Sequence, residues 1–383
     1  MICLLALRCV PFLIIKGGWP GGEAESAAAF SLIAVQRGGV LFKERVKLIS
    51  KLYLVLRGVV SGESNALFDT SGTYIYRSWV GSPERVLEAE AMLSKSMVDV
   101  YSMSEILGKA LRIVEDSKRT ISCLGVLPAQ CWKWICEEKI LESDSPLGVD
   151  IPEGLPYSTA CLNLERFSRS IEKLRGEIPF LRGALASIHS IKVSWGIRID
   201  EELGSLRSMY RRGLRGRVKT KIETLLRERK VVFELFERLE STIRRMIRVR
   251  ESLLSDAKHG VTEFTVVRIP FYVALLERKG QERFVVIPPV GVYTRDEILE
   301  LGRKPIVMLT PRHEFCKLLG SVIHEELSGK GTLRTWIRLN MDRIEIRSRI
   351  IRSMVMEGME TLERLGIVSK KLDRMVLSLF KGS

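Results

Sequence analysis

Apolar positions change period three times along this 383-residue chain, and the changes predict its organisation. The opening part carries β-branched, aromatic and leucine runs at Ile2–Ile15, Phe30–Val35, Leu48–Val60, Ala66–Phe68 and Thr73–Val80, separated by Gly-Gly and Ser-Gly turn signals. Runs of that kind predict strands. Ser82-Pro83-Glu84 then supplies a capping residue, a proline suited to the first helical turn and an early acid. A helix is therefore expected to open before Val86, with helical pattern continuing, with breaks, to about Glu142. Pro146, Gly148, Pro152, Gly154 and Pro156 crowd the span 143–159, which is expected to be a linker.

From Leu164 the period becomes helical. Leu164, Phe167, Ile171, Leu174, Ile178, Leu181, Leu185 and Ile188 fall at alternating steps of three and four. The same steps return at Val218, Ile222, Leu225, Arg229, Val232, Phe236, Leu239, Ile243, Met246, Arg250 and Leu253, with two arginines in the seam. Two such stretches predict an antiparallel helical hairpin over 160–256. Gly176, Pro179 and Gly183 predict a kink or break in its first arm. Ile191 to Ile199 alternates apolar and polar residues, which predicts a short strand, and Asp200-Glu201-Glu202-Leu203 reads as the cap of the second arm.

Strand pattern resumes over Val261–Leu309, with a hairpin of Phe264–Leu276 and Arg283–Ile287 around Lys279-Gly280-Gln281. Helices are expected at Arg312–Leu327, Leu333–Leu365 and Lys370–Phe380. The fold class expected is thus α+β: strand-rich lobes at 1–142, with its following helices, and at 261–310, flanking the heptad-patterned hairpin, then a helical region at 311–383. At an offset of 219 residues the two lobes echo each other, aligning Tyr53 with Tyr272, Leu56 with Leu275, Glu63 with Glu282, Gly72 with Gly291 and Tyr74 with Tyr293. Duplication of a β-β-α unit and chance similarity of short hairpins both fit that echo.

With 46% hydrophobic and 28% charged residues the chain can bury a large core, which excludes a mainly disordered protein. Seven cysteines, odd in number and without a CxxC pair, read as thiols in a reducing compartment, so a cytoplasmic protein is expected. The apolar N-terminus has no basic leader and carries Arg8 in its middle, and no stretch offers 18 uncharged apolar residues, so no membrane span is expected.

Few motifs carry chemistry. Ser328-Gly329-Lys330-Gly331-Thr332 lacks the upstream glycine and the Ser or Thr after the lysine that a phosphate-binding loop needs. His189, His259, His313 and His324 lie far apart, and no cofactor or metal is expected. Asp69, in Phe68-Asp69-Thr70-Ser71-Gly72-Thr73, ends an apolar run before small hydroxyl residues. It is a weak candidate for a metal-binding or nuclease carboxylate. The segment also resembles the Asp-Thr-Gly of aspartic proteases, but a metal site of this pattern wants serine where Thr73 stands, the protease pattern wants glycine where Ser71 stands, and the echo places Asp69-Thr70 opposite Pro288-Pro289, as in a plain turn.

Charge is the strongest clue. Lys+Arg outnumber Asp+Glu by 61 to 46, a net +15, and Arg207 to Arg250 holds 15 basic against 5 acidic residues. Arg207, Arg211, Arg212, Arg215, Arg217, Lys219 and Lys221 form a run without an acid, interrupted by Gly213 and Gly216. Such a concentration suits phosphate contacts. It also suits pairing with acids on a neighbouring helix, such as Glu165, Glu172 and Glu177, or adsorption to a membrane surface. Tyr210 is the one aromatic nearby, so base stacking is not predicted. The expected function is a non-enzymatic coiled-coil protein that binds the backbone of DNA or RNA, or that scaffolds a partner or self-associates through its helical middle. The rivals are a metal-dependent, nuclease-like enzyme using Asp69 and a purely structural assembly module.

Overall fold

The structure, a computed structural model, describes residues 8–15, 18–37, 44–95, 102–137, 141–142, 148–212, 215–255, 260–301 and 305–380. It begins with β1 (Arg8–Cys9), β2 (Leu13–Ile14), α1 (Gly22–Gln36), β3 (Arg45–Ser61), β4 (Ser64–Asp69) and β5 (Ile75–Gly81). Next come α2 (Pro83–Lys95), α3 (Met103–Glu115), β6 (Lys118–Leu124), α4 (Ala129–Glu137), β7 (Leu141–Glu142) and β8 (Val149–Asp150). The two long helices are α5 (Tyr157–Arg211) and α6 (Arg215–Ser255). They are followed by β9 (Val266–Arg278), β10 (Gln281–Ile287), β11 (Val290–Val292), α7 (Arg295–Glu300) and β12 (Leu309–Pro311). The chain closes with α8 (Glu314–Ser328), α9 (Thr332–Leu339), α10 (Met341–Ile344), α11 (Arg349–Arg364) and α12 (Asp373–Leu377), the last between two single 3₁₀ turns. The protein is α+β, a long helical middle flanked by strand-rich regions and followed by C-terminal helices, as its hydrophobic pattern predicts.

Two compact units divide the chain: Met1–Ile75 with Leu124–Leu164 and His259–Ser383, and Tyr76–Cys123 with Glu165–Lys258. The first is organised by a sheet of order β4-β3-β9-β1-β7, with β10 also on β9 and β8 also on β3. Its spine is the antiparallel pairing of β3 with β9, from Arg45–Glu277 to Arg57–Val266, bulged between Val46 and Leu48. Leu48–Leu56 and Ile269–Leu276 are buried without a break, which is why both strands read as continuous apolar runs and not as alternation. The expected hairpin at Lys279-Gly280 closes with φ of +50° and +78°, the left-handed pair that a tight two-residue turn requires. Leu52 faces Phe271 across the pair.

Helices α1 and α11 pack in this unit's core, around Phe12, Phe30, Ile49, Tyr272, Val355 and Met359. Here Phe30–Val35, expected as a strand, is part of α1. Ala24, Ala27, Ala28 and Ala29 precede it, and the helix is buried almost all round, so no amphipathic period marks it in the sequence. Small side chains are needed at this crossing: a Cβ on Gly358 of α11 would stand 2.1 Å from the carbonyl oxygen of Glu23. Of the expected N-terminal strand, residues 1–7 lie outside the described residues, and the rest forms β1 and β2. Leu333–Leu365 is three helices and not one. Its break lets Ile346 donate to the Ile49 carbonyl at 2.9 Å and lets buried Arg347 reach the carbonyls of Val46, Lys47 and Leu379.

Lys51 is buried in the same core, 3.5 Å from Glu25, with its ammonium over the rings of Tyr53 and Tyr272. Glu25 Oε1 also accepts from the Phe12 amide at 2.7 Å and the Trp19 indole at 2.9 Å. Burial opposes the charge on Lys51, but the tyrosines and Glu25 outweigh it and hold its pKa above the ordinary lysine range.

In the second unit α5 and α6 form the predicted antiparallel hairpin. Arg182 pairs with Glu251 at 2.7 Å, His189 with Glu240 at 3.1 Å and Asp200 with Arg229 at 3.2 Å, each contact stepping up one arm and down the other. Pro179 does not end the first arm, which runs unbroken to Arg211. Ile191–Ile199 is helical, not a strand: Ile191, Trp195 and Ile199 share the buried face at steps of four, while Val193 and Ile197 are 48% and 55% exposed. Asp200–Leu203 lies inside α5, and the second arm opens at Arg215. Lys118–Leu124, expected within a helical stretch, is β6, which pairs with β5 as a two-stranded sheet. Helices α2 and α3 bury Val86, Leu93, Leu107 and Leu111 against the arms.

Two outcomes follow from this packing. Gly358→Ala should lower stability by about 1–3 kcal/mol through overpacking against backbone, read as a shift in the urea midpoint; an unchanged midpoint would mean the helices can move apart. Lys51→Met should cost about 3 kcal/mol by stranding buried Glu25. Because the folded pKa of Lys51 is raised, its stabilising charge is fully present below the unfolded value of about 10.4 and is lost as pH rises through the folded value. The stability gap between wild type and variant should accordingly stay flat from neutral to mildly alkaline pH and close only above about pH 10, as measured by denaturant titration across pH.

Candidate nucleic-acid interface

The basic run sits where the two arms meet. Arg207 and Arg211 lie one turn apart near the end of α5, Arg212 follows, Arg215 opens α6, and Arg217, Lys219 and Lys221 occupy its first two turns. Gly213 and the side chain of Arg215 are outside the described residues. The buried seam stops short of this end, with Leu203 and Leu206 on one arm and Leu225 on the other as its last buried positions. Beyond them Arg207, Arg211, Arg212, Arg217, Lys219 and Lys221 are all exposed.

Acids that could neutralise this end are elsewhere. Glu165 and Glu172 pair with Arg169 and Arg175 on their own helix. Glu177 is held at the opposite end of the hairpin by Arg119 and Arg250, both at 2.8 Å. Among the described residues, Lys219 has a loose contact with Glu223 at 3.9 Å, while Arg207, Arg211, Arg212, Arg217 and Lys221 have no ion pair. Helix α6 also has no acid in its first turn. Its unsatisfied amide groups and dipole therefore add positive potential to that of the side chains. Farther along α6, Arg227, Lys230, Arg245 and Arg248 are exposed as well.

The charges inside the hairpin have a different role. Arg250, one of the two seam arginines, is fully buried and donates to Glu177 Oε2 at 2.8 and 3.1 Å, to the Gly81 carbonyl at 2.6 Å and to that of Met246 at 3.1 Å. Burial lowers its pKa and Glu177 partly restores it. Arg229, the other, lies 5.6 Å over the Phe233 ring and pairs with Asp200. Buried Glu240, which the hydrophobic pattern does not mark, gathers Lys192 at 3.6 Å, His189 at 3.1 Å and Arg244 at 2.8 Å. These groups fix the register of the arms.

Asp69 ends β4 and is completely buried. Its Oδ1 accepts from the amide and hydroxyl of Ser71 at 2.9 and 2.6 Å. Its Oδ2 accepts from the amide and hydroxyl of Thr73 at 2.9 and 3.0 Å and from the Tyr74 amide at 2.8 Å. Both oxygens are thus engaged in closing a turn around Gly72, whose φ is +69°. Among the described residues no three His, Cys, Asp or Glu side chains gather as a metal-binding group. His313 caps α8, its Nδ1 accepting from the Phe315 amide at 3.1 Å. His259 lies outside the described residues, and no described helix is long and apolar enough to cross a membrane.

No protein-family profile, curated protein or solved structure matches this chain.

Removing the Asp69 carboxylate strands three buried or half-buried amides, so Asp69→Ala should destabilise the protein by about 3 kcal/mol, with Asp69→Asn intermediate. Thermal unfolding measures this, and an unchanged melting temperature would show that the turn does not depend on the side chain.

Proposed function

We propose that the basic end of the α5–α6 hairpin binds the phosphate backbone of nucleic acid without strong sequence preference. One observation carries this reading: six basic side chains are exposed beyond the last buried seam residues, and one acid, Glu223, stands beside them among the described residues. Cations that served only to pair the arms would face acids on the neighbouring helix, as Arg229 and Arg250 do. Phosphates are spaced along a backbone and release counterions when neutralised, so several separate cations on an open helical end bind them more effectively than one compact pocket would.

A nuclease reading centred on Asp69 finds less support, because both carboxylate oxygens already accept hydrogen bonds from the turn. A protein-assembly reading draws on a different feature, the exposed Val193 and Ile197 one turn apart on α5. A partner helix could cover them, and charge reversal at the basic end would leave that contact intact.

The test is binding to duplex DNA and duplex RNA across a salt series, beside a variant with Arg211, Arg212, Arg215 and Arg217 changed to Gln. Wild-type affinity should fall steeply with salt, and the slope should shrink by about 0.9 for each phosphate contact removed. A variant that keeps the affinity and slope of the wild type would overturn the reading.

A further inference from the structure

The two-stranded β5–β6 sheet presents an outer face of exposed alternate residues. Along β5 the residues alternate: Tyr76 points inward, its ring 5.3 Å from Phe167, and Val80 is buried, while Arg77 and Trp79 point out. Trp79 is 62% exposed, an unusual position for the residue with the largest apolar surface. It stands at the wall of a hollow of about 490 Å³ that lies wholly within the second unit. That volume falls in the roughly 300–1,000 Å³ range of small-ligand sites.

The lining of the hollow is of three kinds. Val114, Met246 and Val249 join Trp79 in an apolar floor. Arg245 of α6 and Lys118 of β6 bring positive charge, Asp116, between α3 and β6, brings a carboxylate, and a second lining carboxylate, Glu115, is paired with Arg238 at 3.3 Å. Among the described residues no ion pair occupies Arg245, Lys118 or Asp116, so all three can act on a ligand. An apolar wall with an aromatic ring suits the face of a base. Two cations suit its phosphate, and a carboxylate accepts hydrogen bonds from ribose hydroxyls.

We infer that this hollow receives one unpaired ribonucleotide of a single-stranded RNA, with its base on Trp79, its phosphate at Arg245 and Lys118, and its 2′-hydroxyl at Asp116. The inference rests on the backbone-binding reading and deepens it, because Arg245 belongs to the same exposed face of α6 as Arg227 and Lys230. An RNA held at the basic end and laid along α6 arrives at the hollow. Duplex RNA cannot use it, since its bases are stacked and paired.

The experiment measures fluorescence anisotropy with labelled decamers of uridylate and of thymidylate and with a duplex RNA, on the full chain. Trp79→Ala should weaken binding of the RNA single strand about tenfold and leave the duplex unchanged, while Trp79→Phe should retain most of the affinity. Asp116→Ala should remove the preference for uridylate over thymidylate. Because Trp79 is exposed, the melting temperature of Trp79→Ala should equal that of the wild type, which separates loss of a contact from loss of fold. The inference fails if Trp79→Ala binds the uridylate decamer as the wild type does. Duplex binding that is still lost in the four-arginine variant would then leave the backbone reading standing. An unchanged uridylate preference in Asp116→Ala would remove the ribose contact and with it the assignment to RNA.

Discussion

The pairing of β3 with β9 is the constraint on which the rest of the first unit depends. These strands lie more than two hundred residues apart in the chain, with the whole second unit inserted between them, and yet they are bonded along almost their full lengths. Burial on both faces keeps water from their amides and carbonyls, so pairing with neighbouring strands is required by hydrogen-bond satisfaction as well as by hydrophobic burial. Every other strand of the sheet adds to this pair or to its edges. Helix α1 covers it only because alanines and Gly358 let two helices approach closely, and the break before α11 is spent on bonds to the bulged end of β3. A long-range pairing of this kind has a high closure entropy, which makes the apolar cross-strand contacts around Leu52 and Phe271 the costly step of forming the unit.

Charge is divided by location. Inside the hairpin each buried cation meets a carboxylate: Arg250 meets Glu177, and Lys192 meets Glu240. Such pairs contribute little net stability compared with apolar residues of the same volume, but each allows one alignment of the arms and penalises a slip of one turn. At the end where the arms meet the arrangement is the reverse, with cations exposed and, among the described residues, only a loose contact of Lys219 with Glu223 at 3.9 Å to offset them. The heptad pattern cannot distinguish the two situations, since Arg229 and Arg250 occupy seam positions and the terminal arginines interrupt the seam.

The hairpin, the strands β3, β4, β9 and β10 and the helix opening at Pro83 were legible because each rests on a local signal: a period, an unbroken apolar run or a cap. What was not legible has specific causes. A fully buried helix such as α1 has no polar face to set its period, and its Phe30–Val35 segment has the composition of a strand. Ile191–Ile199 alternates because Val193 and Ile197 are exposed apolar residues on a helix, and alternation alone takes them for the buried face of a strand. The basic run was visible as composition, but its exposure and lack of acidic partners depend on where the buried seam ends. Trp79 and Arg245 are distant in sequence, so an aromatic beside a cation at the hollow could not be read from either segment.

The start of α6 carries the argument for function one step further. Where the first turn of a helix is tuned for stability alone, acids are favoured there, and α1, α2 and α8 follow this with Glu23 and Glu25, Glu84 and Glu314. Helix α6 opens instead with Arg215 and Arg217, followed by Lys219, at the positive end of its own dipole, and Arg211, which ends α5, and Arg212 come just before it in the chain. Each of these charges raises the energy of the free protein, by repulsion from its neighbours and from the helix end. A bound polyanion reverses the sign of every one of those terms together. Acids are also absent from the first turns of α4, α5, α9 and α11, so what departs from the stabilising rule at α6 is not the missing acid but the five cations gathered from Arg211 to Lys219, a local cost of the kind that functional sites carry.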